Sequence, residues 1–106
     1  MEAQRRDNEQ WGALSRNDRP RVHELSVGQR ALWFLQKLSP QSVVYNLARA
    51  VRIRDSLNLG ALRRSFDELV ARHEALRTTF PAVDGTPVAR VWPTTDFRVT
   101  FDDLTS

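Results

Sequence analysis

NLGALRRSFDELVARHEALRTTF, residues 58–80, changes its period part-way along, and that change decides the fold. Behind Asn58, a good helix N-cap, the residues Leu59, Leu62, Phe66, Leu69, Val70, His73 and Leu76 recur at three- and four-residue steps, the spacing of one apolar helix face. Arg63 with Asp67, and Arg64 with Glu68, stand one turn apart on the wet face as ordinary helix support. After Arg77 the pattern shortens. RTTFP, then PVARVW behind the Asp84-Gly85 turn, then FRVTF after Thr94-Thr95-Asp96 predict short strands in an antiparallel meander.

Upstream, Ser26 supplies a hydroxyl that caps orphan amides, and Gln29, three residues on, returns the bond as a capping box. A helix therefore starts there. Its apolar residues Ala31, Leu32, Trp33, Phe34, Leu35 and Leu38 cover a face too broad for a lone surface helix, and Ser39-Pro40 ends it. VVYNLARAVRIR, residues 43–54, is β-branched and apolar, with Leu47, Val51 and Ile53 on one face of a period-two pattern and Ala48, Ala50, Arg52 and Arg54 on the other. It reads as a strand, with Arg49 breaking the alternation. Helix, strand, helix and three strands make a layered α+β arrangement, two helices packed on a mixed, mostly antiparallel sheet. Residues 1–22 read as a polar tail or linker, in which, after Met1, Trp11 and Leu14 are the only large apolar side chains before the turn-like SRNDRP stretch, and residues 23–106 as the folded portion.

Composition narrows the chemistry. The chain has 106 residues, enough for one small domain, with 41% hydrophobic and 27% charged residues. No cysteine is present, which removes disulfides, thiolate nucleophiles and Cys-based zinc sites and fits a reducing cytoplasm. No metal site is expected, and no run is long enough to cross a bilayer. The net charge of +3 invites a nucleic-acid reading, yet the arginines are dispersed among acids and no aromatic-studded basic stripe appears, so none is expected. His23 and His73 are isolated, with no hydroxyl–imidazole–carboxylate spacing and no Gly-rich phosphate loop.

Two segments are more specific than periodicity: LSVGQRALWFL at Leu25 to Leu35 and RHEALRTTF at Arg72 to Phe80. In order and spacing they resemble the first and second core motifs of condensation domains of nonribosomal peptide synthetases, and SPQSVVYNLARAVRI between them resembles the family's link into its first strand. The resemblance runs from about Leu25 to the end. Gly28 stands where the common form has Ala, and Asn58 where many members have Asp. It implies a chloramphenicol acetyltransferase-like fold, two lobes with a tunnel between them, of which residues 23–106 are the N-terminal portion of the first. It further implies that a carrier-bound acyl or peptidyl thioester meets a carrier-bound amine and an amide forms. Cofactors are not bound directly; substrates ride on the phosphopantetheine of carrier protein domains.

The family's catalytic His-His-x-x-x-Asp-Gly motif lies downstream of the RHEALRTTF-like segment and is absent from these residues, so the resemblance implies no catalytic residue here and no activity of the chain alone. What carries over is support: an Arg of the second motif pairs with the Asp of that catalytic motif. Arg72 is the preferred match and Arg77 the other. Gln29 and Arg30 are the polar residues of the first motif, read as organising the floor beneath the tunnel. Expected partners are carrier domains and the remainder of the condensation domain or synthetase, with self-association through an exposed sheet edge. Two competing readings are a non-catalytic piece docking through Trp11 and Leu14, and part of a related acyltransferase of the same superfamily. Trp11→Ala separates the first of these, since losing a hot-spot aromatic weakens docking by roughly 2 kcal/mol or more.

Overall fold

The structure is a computed structural model that describes residues 18–105. Its elements, in chain order, are β1 (Arg21–Glu24), α1 (Val27–Leu38), α2 (Leu59–Arg72), a 3-10 turn (Glu74–Arg77), β2 (Thr78–Thr79), β3 (Ala82–Val83) and β4 (Thr86–Val91). The α+β class is as the sequence predicts.

The sheet is built around β4. Asp84 and Gly85 take φ of 50° and 80°, the left-handed pair that a two-residue hairpin needs and that Asp-Gly supplies at low strain. This turn fixes the register: Val83 faces Thr86, Ala82 faces Pro87, Thr79 faces Arg90 and Thr78 faces Val91. β2 and β3 are thus one strand of a single hairpin, interrupted at Phe80-Pro81, where the ladder continues through Val88 N–H to the Pro81 carbonyl at 3.0 Å. On its other side β4 pairs antiparallel with β1, Arg21 facing Val91 and Glu24 facing Val88. Every pairing is antiparallel, so the parallel component expected of a mixed sheet does not occur among the described residues. β1 takes in Arg21 and Val22, which the expected polar tail includes; four residues without apolar alternation carry little strand signal of their own, and β4 supplies the ladder.

Both caps form. Ser26 Oγ accepts from Gln29 N–H at 3.2 Å while Gln29 Oε1 accepts from Ser26 N–H at 2.9 Å, and Asn58 Oδ1 accepts from Ala61 N–H at 2.9 Å. The second helix is shorter than its apolar spacing suggests. It stops at Arg72, and His73, which the spacing places on the apolar helix face, becomes its exposed C-cap. Glu68 pairs with Arg72, not with Arg64.

Two predicted strands are absent. Residues 43–54 begin in a turn closed by Asn46 N–H to the Val43 carbonyl at 3.0 Å and continue without ladder bonds, Leu47 96% and Val51 84% exposed. Residues 97–101 also lack a ladder, and Phe97 instead meets Phe66 of α2 with ring centroids 6.1 Å apart. The physical reason is shared: neither segment pairs with β1 or the β2–β3 strand at the margins of the sheet, and an alternating pattern becomes a strand only where a neighbour accepts its amides.

The buried hydrophobic core consists of Leu25, Val70, Ala89 and Val91. Ala89 and Val91 share the face of β4 that carries Arg21 and His23 opposite them. The ion pair between Arg21 and Glu74 ties that side of β1 to the 3-10 turn. The face of α1 that the sequence says must be covered is open: Phe34, Leu35 and Leu38 are all exposed.

Candidate functional site

The second motif occupies the end of α2, the 3-10 turn and β2, and its arginines have different fates. Arg72 sits on the last helical turn with its guanidinium 3.5 Å from Glu68, both side chains 70% exposed. Such a pair on a wet helix face contributes about 0.3–0.5 kcal/mol. Arg77 is half-buried and spreads its fork over four main-chain oxygens. Nε donates to the Val70 carbonyl at 3.0 Å, Nη2 to that of Ala71 at 3.2 Å, and Nη1 to those of Trp92 and, at 3.4 Å, Pro93.

Val70 and Ala71 are among the carbonyls that a helix leaves unpaired at its C-terminus, where the macrodipole also favours a cation. Arg77 therefore caps α2 and, through the same planar group, holds the exit of β4 against it. This explains why the helix ends where it does. Trp92 N–H to the Arg77 carbonyl at 2.9 Å closes the ladder beside the fork. No carboxylate lies within ion-pair distance of Arg77 among the described residues. A cavity of about 190 Å³ adjoins it, lined by Asp67, Val70, Ala71, Pro93, Thr94, Thr95 and Phe97 besides Arg77 itself.

The first motif lies on β1's exit and α1. Gln29 is engaged in the cap, its carbonyl oxygen held by Ser26. Arg30 is exposed, and its amide makes the first helical bond, to the Ser26 carbonyl at 2.9 Å. The structure brings neither to Arg72 or Arg77 through a hydrogen bond or ion pair. Trp11 and Leu14 lie outside the described residues.

Sequence reasoning singled out neither Trp33 nor Phe80, and these two join the motifs: Trp33 Nε1–H donates to the Phe80 carbonyl at 2.9 Å. The signal was available in principle, because an indole that is part-buried needs an acceptor for its N–H. A groove of about 410 Å³ runs beside this contact, lined by Gln29, Leu32, Trp33, Gln36, Lys37 and Phe80. On the opposite flank of the hairpin Trp92 Nε1–H donates to Thr79 Oγ1 at 2.9 Å, with the Arg90 guanidinium 5.8 Å from the indole centre.

His23 on β1 and His73 at the cap of α2 are exposed, on separate elements. Among the described residues no group of three or more His, Cys, Asp or Glu is placed to hold a metal ion, and no helix is long and apolar enough to cross a membrane. Asp103 accepts from the hydroxyl and the amide of Thr105, at 2.5 and 2.9 Å, which holds its carboxyl below the usual range. Nothing in these groups forms a nucleophile–base pair.

The chain sets two capped helices beside a small antiparallel sheet, with Arg77 fixed at the junction of α2 and the exit of β4. Its sequence belongs to the condensation-domain family, whose model matches residues 20–106. Among similar proteins, the isonitrile lipopeptide synthase of Mycobacterium tuberculosis is 51% identical over 69 residues, 65% of this chain and 3% of that protein. The dimodular nonribosomal peptide synthase of Bacillus subtilis is 47% identical over 74 residues, 70% of this chain and 3% of that protein. Malpibaldin synthetase of Mortierella alpina is 38% identical over 87 residues, 82% of this chain and 2% of that protein. The chain therefore spans 2–3% of the length of these curated relatives. No solved structure matches it significantly.

Proposed function

We propose that residues 20–106 are a scaffolding segment of the first lobe of a condensation domain that joins a carrier-bound acyl or peptidyl thioester to a carrier-bound amine. The amine nitrogen attacks the thioester carbonyl, the C–S bond breaks, the phosphopantetheine thiol leaves, and the proton from nitrogen passes to a base outside these residues. The carriers and the rest of the domain are its partners. Of the second-motif arginines, Arg77 is the one we assign to receive the carboxylate of the His-His-x-x-x-Asp-Gly loop, in place of Arg72, which the sequence alone favours.

The observation that supports this is the state of Arg77. A half-buried guanidinium that meets only neutral carbonyls and borders a cavity gains far more from an incoming carboxylate than an exposed one already beside Glu68. A loop docked there is held by a group that is itself fixed at four points.

The test is a graft. Residues 20–106 replace the matching segment of the condensation domain of a relative such as the Bacillus subtilis synthase, and amide formation between two acylated carrier proteins is measured. The graft is expected to form amide, and Arg77→Ala within it to lower kcat on the order of tenfold to a hundredfold, the cost of a misplaced catalytic loop, with Arg72→Ala nearly neutral. The 106-residue chain alone, which holds only His23 and His73, forms none. Amide formation by the chain alone, or a folded graft without activity, overturns the reading; a thermal melt of each graft distinguishes misfolding from lost chemistry.

A further inference from the structure

We infer that Trp33 is a positioning residue: its indole N–H holds the Phe80-Pro81 corner and, through that corner, the strand that leads back to Arg77, so that the first and second motifs move as one body. This deepens the proposed function and rests on it for the role of Arg77. Trp33 is the only position of α1 that is not exposed, and α1 contributes no buried residue, so packing alone holds the helix weakly. The hydrogen bond from Trp33 to Phe80, 47 residues away, is the directional tie between α1 and the hairpin.

The acceptor is well chosen by the backbone. Across from Phe80-Pro81 the ladder is kept by the Pro81 carbonyl, which accepts from Val88 and so points toward β4. Carbonyls alternate along a strand, so that of Phe80 points away, to the outer edge where no strand pairs among the described residues and Pro81 offers no N–H. Trp33 satisfies the acceptor left at this edge. Its ring is itself braced, with Lys37 Nζ 5.1 Å from the indole centre. Phe80 stands three residues beyond Arg77, across β2, so a corner that slides carries the base of the guanidinium with it.

Trp33→Phe keeps the ring and deletes the donor. In the full chain, nuclear magnetic resonance of the Arg77 Nε–H, which is bonded to the Val70 carbonyl, reads the position of the fork directly. Trp33→Phe is expected to speed its exchange about tenfold, the population change that loss of one hydrogen bond brings. Gln36→Leu, which removes a hydrogen bond that α1 makes to its own exit, from Nε2 to the Pro40 carbonyl, serves as a control that leaves the rate within about twofold. In the wild-type chain the Trp33 indole proton itself must be protected from exchange. In the active graft, Trp33→Phe lowers kcat with KM for the acylated carriers unchanged. An unprotected Trp33 indole, an Arg77 rate indifferent to Trp33→Phe, or an unchanged kcat in an active graft overturns the inference. A graft that is inactive with Trp33 in place counts against the proposed function instead, and the exchange rates then decide the positioning role alone.

Discussion

At the scale of single residues, the guanidinium of Arg77 shows how one side chain does two jobs that sequence patterns treat separately. It closes a helix and it fastens a strand exit, because its N–H groups diverge in one plane and reach carbonyls of both elements. Removing it strands at least two carbonyls at the end of α2 and frees the junction, so Arg77→Ala is expected to destabilise the fold by about 2–3 kcal/mol. Arg77→Lys retains the charge near the helix end but not the fork, and recovers less than half of that loss. Arg72→Ala, which removes only a surface pair, changes stability by about 0.5 kcal/mol or less. Urea titration of the three variants checks the order; equal losses for Arg72→Ala and Arg77→Ala contradict the clamp. Gly85 offers a second measurement at this scale. At φ of 80° a side chain strains the backbone even though nothing crowds the position, so Gly85→Ala costs about 1 kcal/mol, read in the same titration.

At the scale of elements, what is legible in advance is what the local chain dictates. The Ser26–Gln29 capping box, the Asn58 cap and the Asp-Gly hairpin are set by neighbours within three residues, and each is present. The expected strands that do not form, residues 43–54 and 97–101, depend on a partner that local pattern cannot supply, and β1, which carries little pattern, exists because β4 lies beside it. The end of α2 departs from its pattern for a related reason: the apolar spacing continues to Leu76, but a fork arriving from Arg77 satisfies the carbonyls earlier. At the site, the motif arginines are legible as residues but not their division of labour, since burial separates Arg72 from Arg77 and spacing does not. These segments carry a prediction. In the isolated chain, amide hydrogens of residues 47–54 exchange at nearly the unprotected rate while those of β4 are slowed. In the graft, where sheet partners become available, residues 47–54 gain protection of on the order of a hundredfold. Exchange mass spectrometry compares the two, and protection already present in the isolated chain contradicts the unladdered segment.

At the scale of the whole molecule, the imbalance between buried and open apolar surface governs behaviour. The radius of gyration of 18.1 Å exceeds the roughly 12–13 Å of a packed domain of this length. Among the described residues four buried hydrophobics stand against an exposed set that includes Phe34, Leu47, Val51, Phe101 and Leu104. At about 25 cal/mol per Å² of apolar area, so small a core leaves little to oppose chain entropy, and the exposed faces gain by meeting any apolar surface. Among the described residues both margins of the sheet are unpaired and add backbone donors and acceptors to that attraction, β1 on one side and the β2–β3 strand on the other. The β2–β3 edge is the poorer template, because Pro81 lacks a donor and Trp33 occupies the Phe80 carbonyl, so association through backbone pairing falls to β1. The isolated chain is therefore expected to sediment with a concentration-dependent mass, to bind a hydrophobic dye, and to melt over a broad range. Val22→Pro, which removes an outward amide from β1, reduces the association more than Ala82→Pro does in the β2–β3 strand. A concentration-independent monomer with a sharp melt would mean that the open faces find cover within the chain itself.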